Sequence, residues 1–357
     1  MNQINQKRKV LILRFSSFGD VTQCLSVAGV LGPWANEVHW AIRVDLAPLA
    51  QSHPHVTRVW PLDRRDGILG LWNFFVLLRS QNFTHIYDAH NSLRSIFLYL
   101  GLLLFPTFKS LMGPKRFFLK RPIHRLNRWL LVKFKINRMA PDWTAQKDLL
   151  APLESWGLPT QIPPAPQLIL DIISIDVVTK ELEKYKLTKF IALCPSAAYE
   201  LKRWPLKNWA QLITFLPNHD FVILGGPQDK FLTELVSVDP NRVYNFSGRL
   251  SLLESAALIE RADLTVTNDT GLLHVAEQLG KPTIALMGPA HFGRPSRIST
   301  TILEKTLPCR PCSKHGQGPC TNPNYQQCLT LITPEEVVTT VKIKLLSPLG
   351  ELKNEQS

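Results

Sequence analysis

Short apolar runs that break off into small or polar turn residues recur along this chain, in its first half and again in its second. Lys9–Leu13 is almost wholly apolar and ends in the turn Arg14–Asp20; Val38–Ile42 follows, and His85–Asp88 closes another such run. The second half restarts the pattern. Phe190–Cys194 ends in Pro195-Ser196-Ala197, and Phe221–Leu224 in Gly225-Gly226-Pro227. Leu264–Thr267 ends in Asn268-Asp269-Thr270-Gly271, and Thr283–Met287 in Gly288-Pro289. Unbroken runs of this length suit parallel strands covered on both faces. Helical stretches lie between them at Val21–Leu31, Trp209–Phe215, Leu252–Arg261 and Leu272–Leu279. The pattern predicts an α/β chain with two Rossmann-like sheets, in which ligands collect at the carboxyl ends of the strands.

A length of 357 residues suits two domains. The proline-rich stretch Pro159–Pro166 predicts the boundary, with domains at 1–166 and 167–357. Leu102–Pro166 is less regular, with a helix near Asp148–Trp156; Thr333–Leu346 predicts a last helix and Gly350–Ser357 a frayed tail. Lys and Arg outnumber Asp and Glu by 41 to 28, a formal charge of +13. That balance attracts anions without choosing among nucleic acid, phosphorylated small molecules and acidic lipid. No aromatic-and-basic motif of a known nucleic-acid reader is present, so no nucleic-acid partner is expected. Met1–Lys9 is polar and basic rather than a secretion core, and Ile96–Phe108 is too short to span a bilayer comfortably. The expectation is a cytoplasmic protein.

Two turns carry the candidate chemistry. In Ser16-Ser17-Phe18-Gly19-Asp20 the glycine admits close backbone approach and the following helix start can hold an anion. The triplet of glycines of a dinucleotide site is missing. Asp20 either caps the helix from Val21 or accepts a proton from a substrate hydroxyl. The segment Asn268–His274 packs an acid, a hydroxyl, a glycine and an imidazole between strand and helix, with His274 one turn beyond Thr270. It is either a diphosphate- and sugar-binding turn or a capped glycine turn with a satisfied histidine. Ser196 and Lys202, near Arg203 and Trp204, either bind phosphate oxygens or form a solvated basic loop. Glu254 either binds a ribose diol or complements its helix dipole.

Four of the six cysteines, Cys309, Cys312, Cys320 and Cys328, crowd one late loop. The close first pair fits half of a tetrahedral zinc site, which the other two thiolates would complete, with His315 as a spare ligand. Disulfides and four plain thiols are the rival readings; a reducing compartment disfavours the former.

Phe15-Ser16-Ser17-Phe18-Gly19-Asp20-Val21 resembles the opening turn of the bacterial lipopolysaccharide heptosyltransferases, glycosyltransferase family nine. Asn268-Asp269-Thr270-Gly271-Leu272-Leu273-His274-Val275-Ala276 with Leu279-Gly280-Lys281-Pro282 is similar to their second-domain signature, which Gly288-Pro289 and Cys309-Arg310-Pro311-Cys312 continue. The likeness runs from Lys9 to Val338 and is weakest over Leu102–Gln167. It implies a GT-B fold, two Rossmann-like domains facing across a cleft, and inverting transfer of a heptose from ADP-heptose, or a similar nucleotide sugar, to the lipopolysaccharide inner core. It implies Asp20 as general base. Ser196, Lys202, Glu254, Asp269, Thr270, Gly271, Leu272 and His274 are implied donor-binding residues. No cofactor or metal is implied for catalysis, and the chain is expected to act as a monomer. The turn Pro195–Ala198 departs from the family's glycine- or threonine-rich pattern. The competing readings are a GT-B enzyme with another nucleotide sugar, a sugar-nucleotide epimerase, and a non-catalytic protein that binds anions or nucleic acid.

From His90 to Ala140 there are eleven Lys or Arg and no acid, interleaved with Phe117, Phe118, Trp129 and Phe134. Such a stretch is either a solvated face or a surface for anionic headgroups. The resemblance implies a lipid-linked, phosphorylated glycan acceptor at the inner face of the inner membrane. Lys115, Arg116, Lys120, Arg121, Arg125 and Arg128 are therefore expected to form an acceptor- or membrane-facing surface, peripheral and salt-sensitive.

Overall fold

The structure is a computed structural model, and residues 7–346 are described; the predicted tail Gly350–Ser357 lies outside them. In chain order the first elements are β1 (Lys9–Leu13), α1 (Phe18–Leu31), β2 (Glu37–Arg43), α2 (Ala47–Gln51), β3 (Arg58–Leu62), α3 (Gly67–Ser80), β4 (His85–Asp88), α4 (Leu93–Leu104), α5 (Phe108–Met112), β5 (Phe117–Lys120), α6 (Arg125–Phe134) and α7 (Ala145–Leu150). There follow α8 (Ile172–Lys184), β6 (Ile191–Cys194), α9 (Leu206–Phe215), β7 (Phe221–Ile223), β8 (Val243–Asn245), α10 (Leu252–Arg261), β9 (Leu264–Asn268), α11 (Gly271–Leu279), β10 (Thr283–Met287), β11 (Thr300–Glu304), α12 (Gln327–Thr330) and α13 (Pro334–Leu346).

The chain forms two compact units. One comprises residues up to Ile123 with Ala145–Ile169; the other comprises His124–Thr144 with Leu170 onward. The boundary therefore falls three residues after the expected one, and 124–144 belongs to the second unit rather than the first. The basic character of that segment hid its contacts. Lys135 Nζ donates to the carbonyls of Cys309 (3.0 Å) and Pro311 (2.7 Å). Arg128 lies over the rings of Trp143 and Phe292, and Ser296 Oγ donates to Thr144 Oγ1 at 2.7 Å.

The first unit holds a parallel sheet in the order β3-β2-β1-β4-β5. β1 is central, and Val10–Leu13 are fully buried, as its apolar run requires. Leu13 pairs with Ala41 on one side and Asp88 on the other, so the turns after β1 and β4 emerge side by side. α1 starts at Phe18, three residues before the expected Val21, with Ser17 as its N-cap. β5 is an edge strand inside the stretch that the sequence left irregular. Its side chains are half-buried or exposed, so no strong apolar run marks it.

The second unit holds a parallel sheet in the order β11-β10-β9-β6-β7-β8. Trp204 and Trp209 anchor its core at 1% and 0% exposure, and Trp204 Nε1 donates to the carbonyl of Ile332 at 2.8 Å. β6 and β9 are neighbours, which brings the turn at Pro195–Ala198 beside that at Asn268–Gly271. Asn268 ties the two turns together: its Nδ2 donates to Pro195 O (2.6 Å) and its Oδ1 accepts from Trp204 N (3.1 Å).

Candidate functional site

In the first unit, Asp20 stands in the first turn of α1, just past the carboxyl end of β1. Its Oδ2 accepts from Ser17 Oγ (2.7 Å) and Ser17 N (3.3 Å) and pairs with Arg14 Nη2 at 2.7 Å. The Ser17 contacts complete a reciprocal capping box, so the cap is real. Its side chain nonetheless keeps 36% of its surface open. Burial would raise the carboxyl; Arg14, Arg121 and the Ser17 hydrogen bonds more than reverse this and hold it well below the usual carboxylate range. Asp20 is thus a tethered, ionised carboxylate at a strand end, which caps a helix and remains open to a ligand.

Around it stand residues the sequence reading did not single out. Arg14 is 4% exposed and its Nη1 donates to Ala89 O at 2.7 Å, which locks the guanidinium between the two turns. His90 Nδ1 accepts from Phe15 N at 3.3 Å; burial and the nearby Arg14 push it down to about 3, so the ring is neutral. Arg64 Nη2 donates to Ser16 Oγ at 2.9 Å. Buried Asp88 shapes the second turn through Oδ1, which accepts from His90 N (3.1 Å) and Asn91 N (2.8 Å). Arg14, His90 and Asp88 are brought together by the pairing of β1 with β4, whereas Arg64 follows β3, beyond β2 on the other side of β1.

In the second unit, Lys202 Nζ pairs with Asp269 Oδ2 at 2.6 Å, with side chains only 14% and 6% exposed. The pair lies at the start of α11, whose N-cap is Thr270. The amides of Gly271 and Leu272 open that helix and have no earlier carbonyl within it. A cation and a helix N-terminus at one spot suit a bound anion. Gly293 backs the carboxylate: a Cβ there would stand 2.3 Å from Asp269 Oδ1. Gly316, with φ +81°, packs its backbone against the Lys202 stem, where a Cβ would come within 2.8 Å of Cγ. Ser196 follows β6 and is half-buried.

Two expected donor ligands have other partners. His274 is 4% exposed and its Nδ1 contacts Glu277 Oε2 at 2.9 Å; Glu277 Oε1 in turn accepts from the amides of Ser296 (2.5 Å) and Arg297 (3.0 Å). It is a buried link between α11 and the loop after β10. Glu254 Oε2 accepts from Ser251 N at 2.6 Å in a capping box, the helix-terminal reading left open beside the ribose.

The six basic residues expected on one surface are divided. Lys115 and Lys120 are exposed, whereas Arg116 is half-buried and donates to Leu102 O at 2.7 Å. Arg121 is not on the surface: it is 7% exposed and pairs with buried Asp148, Nε to Oδ2 2.8 Å. Arg125 and Arg128 belong to the second unit. A charge run in sequence carries no information about which of its members find buried partners.

The zinc expectation is not supported. Cys309, Cys312, Cys320 and Cys328 line one small cavity, yet among the described residues no three His, Cys, Asp or Glu side chains are grouped to hold a metal ion. Cys328 is drawn into the apolar core beside Leu329, and burial pushes its thiol up to about 11. Cys320 Sγ accepts from Gln326 N at 3.3 Å and Cys309 Sγ from Asn322 Nδ2 at 3.5 Å. The described cysteines are all free thiols.

The family model described as glycosyltransferase family 9 (heptosyltransferase) matches residues 129–325, more than half of the chain. Lipopolysaccharide heptosyltransferase 2 of Salmonella typhimurium is 27% identical over 85% of this chain and 88% of its own. Among solved structures, a family 9 glycosyl transferase from Veillonella parvula superposes with a TM-score of 0.76 at 19% identity, covering 96% of this chain and 98% of that one. The ADP-heptose LPS heptosyltransferase II of E. coli does so with a TM-score of 0.70 at 22% identity, covering 95% and 98%. At these identities the structural likeness is one of fold, two Rossmann-like α/β units of the GT-B type.

Proposed function

Since the chain belongs to glycosyltransferase family 9 and is a glycosyltransferase, we propose that it moves a heptose from ADP-heptose to the lipopolysaccharide inner core, with inversion. The observation that carries the reading is Asp20, an ionised carboxylate held by Arg14 and Ser17 at a strand's carboxyl end. In this mechanism the acceptor hydroxyl attacks the anomeric carbon of the donor, a new C–O bond forms, and the bond from that carbon to the diphosphate oxygen breaks. The proton passes to Asp20 and ADP departs. A carboxylate held so acidic does not strip a sugar hydroxyl in advance; it takes the proton as the new bond forms and the hydroxyl grows acidic. The charge gathering on the diphosphate is met by Lys202 and by the amides of Gly271 and Leu272. Donor binding draws Lys202 from Asp269 to the phosphates and frees the carboxylate for sugar hydroxyls. Ser196 lines the phosphates, with Thr270 beside them. Glu254 offers the ribose its uncapped oxygen, and His274 acts by holding the turn.

The acceptor is read as lipid-linked and phosphorylated, and the enzyme as a monomer in the cytoplasm that attaches reversibly to anionic membrane. Among the described residues no helix is long and apolar enough to cross a bilayer. The test is transfer by purified protein from ADP-heptose to core-truncated lipopolysaccharide, read by mass spectrometry. Transfer from another nucleotide sugar in its place would assign a different donor. Release of free sugar without transfer would favour an epimerase-like enzyme, and no reaction with any donor would leave an anion-binding protein.

A further inference from the structure

We propose that the outer face of α3, α4 and α5 is a membrane-insertion surface that enters the headgroup layer of an anionic bilayer. The inference deepens the membrane attachment read above, but binding is measured without donor or acceptor, so failure of the transferase reading leaves it standing.

A surface helix ordinarily turns polar residues outward. α3 buries Phe74, Phe75 and Leu78 against its sheet, yet its outer face is also apolar: Ile68 is 86% exposed, Leu69 79% and Trp72 53%. α3 has one charged residue, Arg79, and its guanidinium is turned onto the carbonyls of Phe105 (2.7 Å) and Pro106 (3.1 Å). The neighbouring elements repeat the inversion, with Leu93 88%, Phe108 79% and Met112 75% exposed. The face is continuous from α3 to α4. Phe97 of α4 meets Trp72 and Phe75 of α3 at ring-centroid distances of 6.4 and 6.0 Å. Gly101 lets the two helices close, since a Cβ there would stand 2.8 Å from Phe75. Proteins that stay in water rarely expose so extended an apolar patch.

The rim identifies the occupant. Arg64 precedes α3, Arg94 lies in the first turn of α4, Lys109 lies within α5 and Lys115 follows it; all four are exposed, whereas the neighbouring Arg65 is paired with Asp63 at 2.6 Å. From Gly67 to Ile123 the one acid is Asp88, and it is buried. A second copy docking by two-fold symmetry would bring this basic rim against itself. Anionic headgroups around an apolar layer complement both parts of it, with aromatic rings at the boundary. The location also suits a lipid-borne substrate. α3 and α4 follow β3 and β4, so their first turns stand at the carboxyl end of the parallel sheet, as the β1–α1 turn does, and Arg64 touches Ser16 of that turn.

The experiment is flotation of the full-length protein with vesicles of phosphatidylcholine alone and of phosphatidylcholine with phosphatidylglycerol. Wild type is expected to float with the anionic vesicles and to be only partly released by high salt. The variant Leu69→Glu/Leu93→Glu/Phe108→Glu changes three outward side chains. It is expected to lose at least about tenfold in vesicle partition, with an unchanged melting temperature. Arg125→Ala/Lys133→Ala on α6 is expected to float as wild type does. Should the triple variant melt early, Trp72→Phe decides: brominated anionic lipid should quench wild-type tryptophan emission, and that quenching should drop in the variant. Wild type that floats with neither vesicle overturns the proposal, as does a triple variant that floats normally. Loss of binding in the α6 variant overturns it in favour of a basic segment. A wild-type dimer that the triple variant converts to monomer, with no vesicle binding, overturns it in favour of self-association.

Discussion

At the residue scale, the geometry of Asp20 shows the capping role and leaves the carboxylate placed for the base role that the sequence set beside it as a rival. Its Oδ2 caps α1 through Ser17, and the same carboxylate stays ionised and partly open. Asp20→Asn retains the cap acceptor and removes the base. Transfer is expected to fall about 10²- to 10⁴-fold while donor affinity, measured by calorimetry, changes little; transfer near the wild-type rate would end the base assignment. Lys202 and Asp269 make a different case, because removing one partner of a buried pair strands the other. Lys202→Met is expected to cost about 3 kcal/mol or more, and Lys202→Met/Asp269→Asn to recover much of it. Denaturant unfolding of both variants checks this, and equal losses in the two would show that the pairing is not what stabilises the site. The position of Asp20 just past a strand end was legible because the strand and its turn are contiguous. Arg14 is contiguous too, but reads as a routine strand-end base until its bond to Ala89 is seen. His90 had no local signal, since only the pairing of β1 with β4 brings it to Phe15.

At the element scale, strands with unbroken apolar runs were legible within a residue or two, and helices with caps within three. β5 was not, because an edge strand with half-buried side chains has no run to show. The predicted Asp148–Trp156 helix resolves into α7 and a 3-10 turn, Ala151–Trp156, where Pro152 prevents the α-helix from continuing. The β9–α11 turn depends on the loop between β10 and β11. Gly293 leaves no room behind Asp269, so Gly293→Ala is expected to shift the carboxylate and slow transfer up to about 10²-fold. Wild-type donor KM and kcat in this variant would show that the turn tolerates the crowding.

At the scale of the whole molecule, several buried histidines of the first unit couple stability to pH. Burial, assisted by Arg8 at His85 and opposed by Gln167 at His53, pushes both rings down to about 4; His90 lies at about 3. Unfolded, each would titrate near 6.5. As pH falls from about 6.5 to about 4, the unfolded chain gains protons that the folded chain refuses, and stability falls by up to about 1.4 kcal/mol per pH unit for each ring. Asp20, depressed in the fold, adds its own loss only below the ordinary carboxylate range. Unfolding by denaturant at pH 7 and pH 5 should give a lower midpoint at pH 5, and His85→Phe should flatten the dependence. Equal midpoints would show that these rings are not held neutral.

By itself the sequence determined what is local. Strand runs, their turn residues, the tally of charges and the order of the two motifs are set by contiguous side chains and the period of the backbone. Membership of a sugar-transferring family was legible from those turns. The tertiary structure decided what depends on distant partners. It assigned 124–144 to the second unit through Lys135 and Arg128, buried Arg121 against Asp148, and drew Cys328 into the core beside Leu329. It also decided which face of α3 is covered. Both faces are apolar, so hydrophobic periodicity could not choose between them; packing of Phe74, Phe75 and Leu78 against the sheet made the choice.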